Sequence, residues 1–201
     1  MAERRRRIRE AHPVAGGLIL ALTDEPRSTT AWARGAAGER RVGAVLDGLA
    51  DEGVTVLHDR HVRGQRANID HLAVAPSGVW VVDAKAYRGR LSRRDVGGWF
   101  ATDVRVLVGR RDVTDLVTAM QRQVDMVRAA LGPAGADVPV HPVLCFVDAE
   151  WGRLARPFAI GDVTVAWPRA TARLIRRPGP LGPNRVAFLA STLDAALPPA
   201  P

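Results

Sequence analysis

The chain has 201 residues, a single cysteine, 47% hydrophobic residues and a formal net charge of +8. That length suits one domain with or without an appended arm, and the apolar content excludes wholesale disorder. The longest apolar run, within 14–22, is far shorter than the ~20 residues that span a bilayer, so no membrane partner is expected. Cys145 alone excludes an internal disulfide and a cysteine-rich zinc site, and it fits a reducing, cytoplasmic setting.

Taken in order, residues 1–27 read as a basic arm, with Arg4 to Arg7 ahead of a short apolar stretch. Ser28, Thr29 and Thr30 offer a cap for a helix running to about 51, whose stripe is Val42, Val45, Leu46 and Leu49. Strands follow over 54–59, 69–75 and 79–86, with a polar loop at 61–68 and a turn at Pro76-Ser77-Gly78. The basic, glycine-punctuated stretch 88–100 reads as a strand with loops, and 104–108 as a strand. A helix over 114–131 is closed by Gly132-Pro133. Strands over 138–148 and 162–167 precede a last helix over 184–197 and a proline-rich tail at 198–201. This order predicts an α/β fold with a mixed central β-sheet flanked by helices, in a single domain over 28–197.

Charge is concentrated. Segment 85–111 holds eight cations and two acids, and Arg88, Arg90, Arg93 and Arg94 cluster within it. Such a patch suits a polyanion such as nucleic acid, although a solvated arginine face reads the same way. Lys85 is the only lysine among 29 cations. Its isolation points to a need for a compact, mobile ammonium that can reach a water or a phosphate oxygen.

The hairpin over 69–86 is the most informative segment. If the turn centres on Pro76-Ser77, Ala75 pairs with Gly78 and paired residue numbers sum to 153, which sets Asp70 opposite Asp83. Opposed side chains on one face have Cβ atoms ~5 Å apart, where like charges are destabilising. A shared divalent cation, a shared proton or an edge position facing water would each account for the pair. Lys85 shares the face of Asp83. Glu39 continues the apolar stripe of the first helix, and it also suits the positive end of the helix dipole. Gln123 falls with Leu116, Met120 and Val127 on one face of the second long helix, where it needs a hydrogen-bond partner; Gln121 is the fallback. A zinc site from His58, Asp59, His61, Asp70 and His71 is disfavoured, because His71 alternates to the face opposite Asp70. Cys145 reads as an inert core residue, and the tryptophans read as core before they read as stacking platforms.

Gly35-Ala-Ala-Gly38-Glu39 with Val42, Leu46 and Leu49, then Asn68-Ile69-Asp70-His71, then Val82-Asp83-Ala84-Lys85-Ala86-Tyr87-Arg88-Gly89, resemble the nuclease-related domain family, NERD, over about 35–147. The resemblance implies a restriction-endonuclease-like, PD-(D/E)XK core. It implies Asp70, Asp83 and Glu39 as ligands of Mg²⁺ or Mn²⁺, Lys85 as the residue that orients or activates the attacking water, and Gln123 as a helical site residue. Asp83 stands where many relatives of the broader superfamily have Glu. The expected function is metal-dependent hydrolysis of nucleic-acid phosphodiester bonds, with DNA as the expected partner, Arg88, Arg90, Arg93 and Arg94 holding the backbone, and a homodimer compatible with duplex cutting. The alternative is a non-catalytic nucleic-acid-binding or protein-interaction module on the same fold.

Overall fold

The computed structural model describes residues 29–62, 64, 68–98 and 102–200. The arm expected over 1–27 lies outside the described residues, as do Trp99 and Phe100. The chain enters on helix α1 (Thr29–Asp47) and a 3-10 turn at Ala50–Glu52. Strands β1 (Thr55–His61), β2 (Asn68–Ala75), β3 (Gly78–Lys85), β4 (Gly89–Asp95), β5 (Val104–Val108) and β6 (Arg111–Asp112) follow. Helix α2 (Asp115–Leu131) leads to β7 (Val140–Phe146), β8 (Ala149–Glu150), β9 (Phe158–Ile160) and β10 (Val163–Ala166), and then to α3 (Pro168–Ile175) and α4 (Pro183–Ala196).

The main sheet has six strands in the order β1-β2-β3-β7-β10-β9. β1 and β3 each run antiparallel to β2, β7 is parallel to both β3 and β10, and β9 returns antiparallel, so the sheet is mixed. β3 is buried from Gly78 through Ala84, which explains its continuous apolar run: a strand covered on both faces has no solvent side to alternate with. One face packs Leu72, Val74, Val79 and Val81 against Leu116, Met120, Val124 and Val127 of α2 and Val186, Leu189 and Leu193 of α4. The other packs Ala73, Trp80, Val82 and Cys145 against Val42, Leu46 and Leu49 of α1 and Ala172 and Ile175 of α3. The sheet is thus sandwiched between two helical layers. Among the described residues no helix is long and apolar enough to cross a membrane.

Helix α3 was not expected from the sequence. It is only eight residues long and opens at Pro168, whose fixed φ and missing N–H suit a first helical turn. The strands of two or three residues (β6, β8 and β9) carry no periodicity of their own and exist through their partners.

The β2–β3 turn is embedded. Leu181 donates its N–H to the Pro76 carbonyl at 3.0 Å, and Ser77 Oγ donates to the Ile175 carbonyl at 2.8 Å while accepting from Trp80 Nε1 at 2.9 Å. Gly179 lies so close that a Cβ there would stand 2.2 Å from the Pro76 oxygen. At the far edge, β1 is not bare: His61 N–H donates to the Pro198 carbonyl, Ala200 N–H donates to the Asp59 carbonyl, both at 2.8 Å, and Arg60 pairs with Pro199.

Candidate functional site

The β2–β3 register is the expected one. Ala75 pairs with Gly78, Val74 with Val79, and so on to His71 with Val82, each pair summing to 153. The next position sets Asp70 against Asp83, and there the ladder gives way: the Ala84 N–H donates to Asp70 Oδ2 at 2.8 Å. A side-chain carboxylate replaces a backbone acceptor where the strands part. By alternation Asp70, Asp83 and Lys85 lie on the face covered by α2.

Asp83 is buried, and its side chain is only 3% exposed. Lys85 Nζ donates to Asp83 Oδ1 at 2.6 Å, from a side chain 13% exposed. Asp83 Oδ2 is buried with no hydrogen-bond partner among the described residues. Burial pushes the Asp70 carboxyl well above the usual carboxylate range, and the Asp83 charge adds to this while Lys85 opposes it. For Lys85, burial favours the neutral amine, but the Asp83 and Asp70 charges and the Asp83 hydrogen bond outweigh it. The ammonium therefore titrates above its ordinary range. Two acids and one ammonium share a low-dielectric recess, where neighbouring charges act on both Asp70 and Lys85.

Glu39 arrives from the other helical layer. Gly38 lets α1 cross just beyond the end of β3, where a Cβ would stand 3.0 Å from Ala86 Cβ. Glu39 then sits at the rim, exposed as a residue but with its carboxyl partly covered. Burial raises its pKa, Lys85 lowers it, and Asp59 and Asp83 raise it. Among the described residues no three His, Cys, Asp or Glu side chains gather as a metal-ligand cluster. Helix α1 packs against the face opposite the aspartate pair, so Glu39 comes to the site past a strand end.

Gln123 lies on α2, half-buried, and its Oε1 is buried without a hydrogen-bond partner among the described residues. The partner expected for that oxygen is therefore not found there. Gln121 turns away to Asp162, 3.3 Å from Oδ1. Arg88, Arg90, Arg93 and Arg94 are all exposed, and among the described residues none makes an ion pair.

His58 and His71 occupy the opposite face. His58 Nδ1 and His71 Nδ1 are 2.8 Å apart, and His58 Nε2 lies 2.8 Å from Asp47 Oδ1, beneath Gly43 of α1. Burial first, then the neighbouring His58, pull the His71 pKa down to about 4, so it is neutral at physiological pH. Cys145 is buried, and burial pushes its thiol up to about 12, as an inert core residue requires. Trp80 is buried, and Trp151 and Trp167 pack on each other with ring centroids 4.8 Å apart.

Two neighbours of the site take their place from contacts that the sequence does not show. Asp59 follows the β1–β2 register to a place across from Asp70 and adopts φ +47°, a left-handed conformation that an aspartate tolerates better than most residues. Arg111 lies over the Tyr87 ring, 4.9 Å from its centroid, and Tyr87 in turn acts on the Lys85 charge. Both placements depend on tertiary contacts that spacing does not encode.

The model of one protein family, described as Nuclease-related domain (NERD), matches residues 34–147. That span runs from α1 through the carboxylate hairpin and α2 to the end of β7. No curated protein and no solved structure matches the chain.

Proposed function

The chain belongs to the nuclease-related domain family, and from that premise we propose that it is a metal-dependent nuclease that hydrolyses phosphodiester bonds at Asp70, Asp83 and Lys85. The observation that carries this reading is the buried Asp83 Oδ2, left without a hydrogen-bond donor among the described residues and beside a second carboxylate in the same recess. A buried acceptor in that state is costly unless something positive meets it. Lys85 already serves the other oxygen.

The donor set fits Mg²⁺ or Mn²⁺. Mg²⁺ takes one or two carboxylates and fills the rest of its shell with water and phosphate oxygens, so a third protein ligand is not needed. Asp70 and Asp83 would hold the ion, which when bound supplies phosphate polarisation and a more acidic water. Lys85 is placed to hold that water or to stabilise charge developing on the phosphate. Glu39 at the rim and Gln123 on α2 are placed to orient the water and the substrate. The exposed arginines of β4 and its approach, Arg88, Arg90, Arg93 and Arg94, supply sequence-independent backbone contacts.

The exposed arginines of β4 and its approach also suit a second reading, a non-catalytic nucleic-acid-binding module. Purified protein incubated with plasmid DNA and structured RNA, with Mg²⁺, Mn²⁺ or EDTA, separates the two. Metal-dependent cutting that is lost in both Asp83→Asn and Lys85→Gln supports the nuclease. Cutting unchanged in both variants, or binding without any cutting by the unaltered chain, refutes it.

A further inference from the structure

The strands that carry the site do not stop at it. β3 pairs with β7 in parallel as far as Lys85 with Phe146, Val147 N–H donates to the Lys85 carbonyl at 3.0 Å, and β4 and β8 then pair Gly89 with Ala149 and Arg90 with Glu150. The same parallel track therefore runs on past the carboxylates. It becomes a ribbon as β5 folds back on β4, from Leu91 with Val108 to Asp95 with Val104.

Opposed residues of an antiparallel pair share a face. Leu91, Val106 and Val108 are buried in the core. Arg90, Ser92 and Arg94 alternate with Leu91 and so point the other way, together with Arg105, which pairs with Arg94. Arg105 is neutralised by Asp103 and Asp112, whereas Arg90 and Arg94 are exposed and make no ion pair among the described residues. Arg88 extends the same charge at the ribbon's base, while Arg93, opposite the buried Val106 and acting on Asp95, lies on the other face. At ~3.3 Å per residue, Arg94 lies up to about 30 Å along the track from Lys85. At a rise of about 3.4 Å that is about nine base pairs.

From this geometry we infer that the β4–β5 ribbon is a docking track for double-stranded DNA, holding the duplex on one side of the carboxylate site over nearly one helical turn. The inference rests on the nucleic-acid reading of the preceding subsection, but not on catalysis. Two observations select a duplex. The cations stand on a hydrogen-bonded ribbon, so their spacing is fixed and suits a stiff, regular backbone. The ribbon's two-strand width also suits the open grooves of B-form DNA better than the deep, narrow major groove of an A-form helix.

The test measures binding of the full chain by fluorescence anisotropy, in EDTA so that cleavage plays no part. The probes are a labelled DNA duplex of about two helical turns, its single strand and the RNA duplex of the same sequence, each across a series of salt concentrations. The DNA duplex is expected to bind about ten-fold tighter or more than the other two, a margin of about 1.4 kcal/mol. Arg88→Gln/Arg90→Gln/Arg94→Gln is expected to lower the slope of log K against log salt by close to 3, at about 0.9 for each phosphate no longer neutralised. Arg173→Gln on α3, an exposed control, should leave the slope unchanged. The single Arg94→Gln variant, expected to lower it by about 0.9, stands in if the triple variant fails to fold. An unchanged slope in the triple or single variant, or single strand or RNA bound as tightly as DNA duplex, overturns the inference. Arginine-dependent duplex binding by a chain that never cuts would leave the track intact and remove only the nuclease reading. Cutting that persists alongside an unchanged slope would do the reverse.

Discussion

Replacing Lys85 with methionine removes the ammonium that pairs with a carboxylate whose side chain is 3% exposed, and leaves a side chain of similar length in its place. The 2.6 Å separation corresponds to a gross attraction of about 6 kcal/mol at an effective dielectric of about 20. Much of that offsets the desolvation of both groups, so the pair adds little net stability compared with an apolar pair. Removing one partner is different, because the cost of the surviving buried charge remains; this is expected to cost about 3–5 kcal/mol at neutral pH. For a domain of this size that corresponds to a fall in Tm on the order of 10 °C. The sign with pH follows from the two groups that shift. The Lys85 pKa is raised from its ordinary 10.5, so its contribution is complete below that value and is lost as pH rises through the higher folded pKa. The Asp70 pKa is also raised, so the folded protein takes up a proton there before the unfolded chain does, and acidification favours the folded state. The gap between wild type and Lys85→Met should therefore be widest near neutral pH and narrow as the solution is acidified. Mg²⁺ should restore part of it, since a bound cation replaces the missing charge. Urea unfolding at a series of pH values from mildly acidic to neutral, with and without Mg²⁺, measures all of this. A loss below about 1 kcal/mol that stays flat with pH would mean that Asp83 does not depend on this ammonium.

The remaining predictions concern the far face and the turn. His71 has its pKa lowered to about 4, so between the ordinary value of 6.5 and 4 the unfolded chain binds the extra proton and stability falls as pH drops. His71→Gln should flatten this acid limb by an amount on the order of 2–3 kcal/mol, read from urea midpoints between neutral pH and the folded pKa; an identical limb in the variant would refute the assignment. Gly179→Ala drives a methyl to within 2.2 Å of the Pro76 oxygen and should cost about 1–3 kcal/mol, whereas Gly182→Ala meets nothing within 4 Å and is the control. Equal denaturation midpoints for the two would show that the turn is not clamped as described.

The legible parts of the sequence were those in which geometry is local. A two-residue turn fixes parity, so the pairing of Ala75 with Gly78 carries through to Asp70 and Asp83 without any knowledge of the rest of the chain. The long helices announced themselves by stripe and terminator, and α2 ends where Gly132 follows. What escaped was defined by partners. Asp59 reads from spacing only as part of a disfavoured zinc cluster, and the kink at φ +47° and its place across from Asp70 bring it to the site. Glu39 was readable as a residue of interest, but its position at the rim depends on how α1 crosses Ala86. The Arg111–Tyr87 contact joins residues far apart in the chain. Helix α3 was too short for periodicity to separate it from a loop.

The pairing of Pro198 to Ala200 with β1 bears on how copies of the molecule can meet. An open strand margin invites a neighbouring sheet to extend it, and proteins blunt such margins with prolines or covering segments. Here the covering lies over Asp59 to His61, the stretch of β1 nearest the aspartates. A second copy therefore cannot fuse its sheet there without first peeling the proline segment away. Self-association that leaves this segment seated must use another surface, and the strand margin beside the aspartates stays closed.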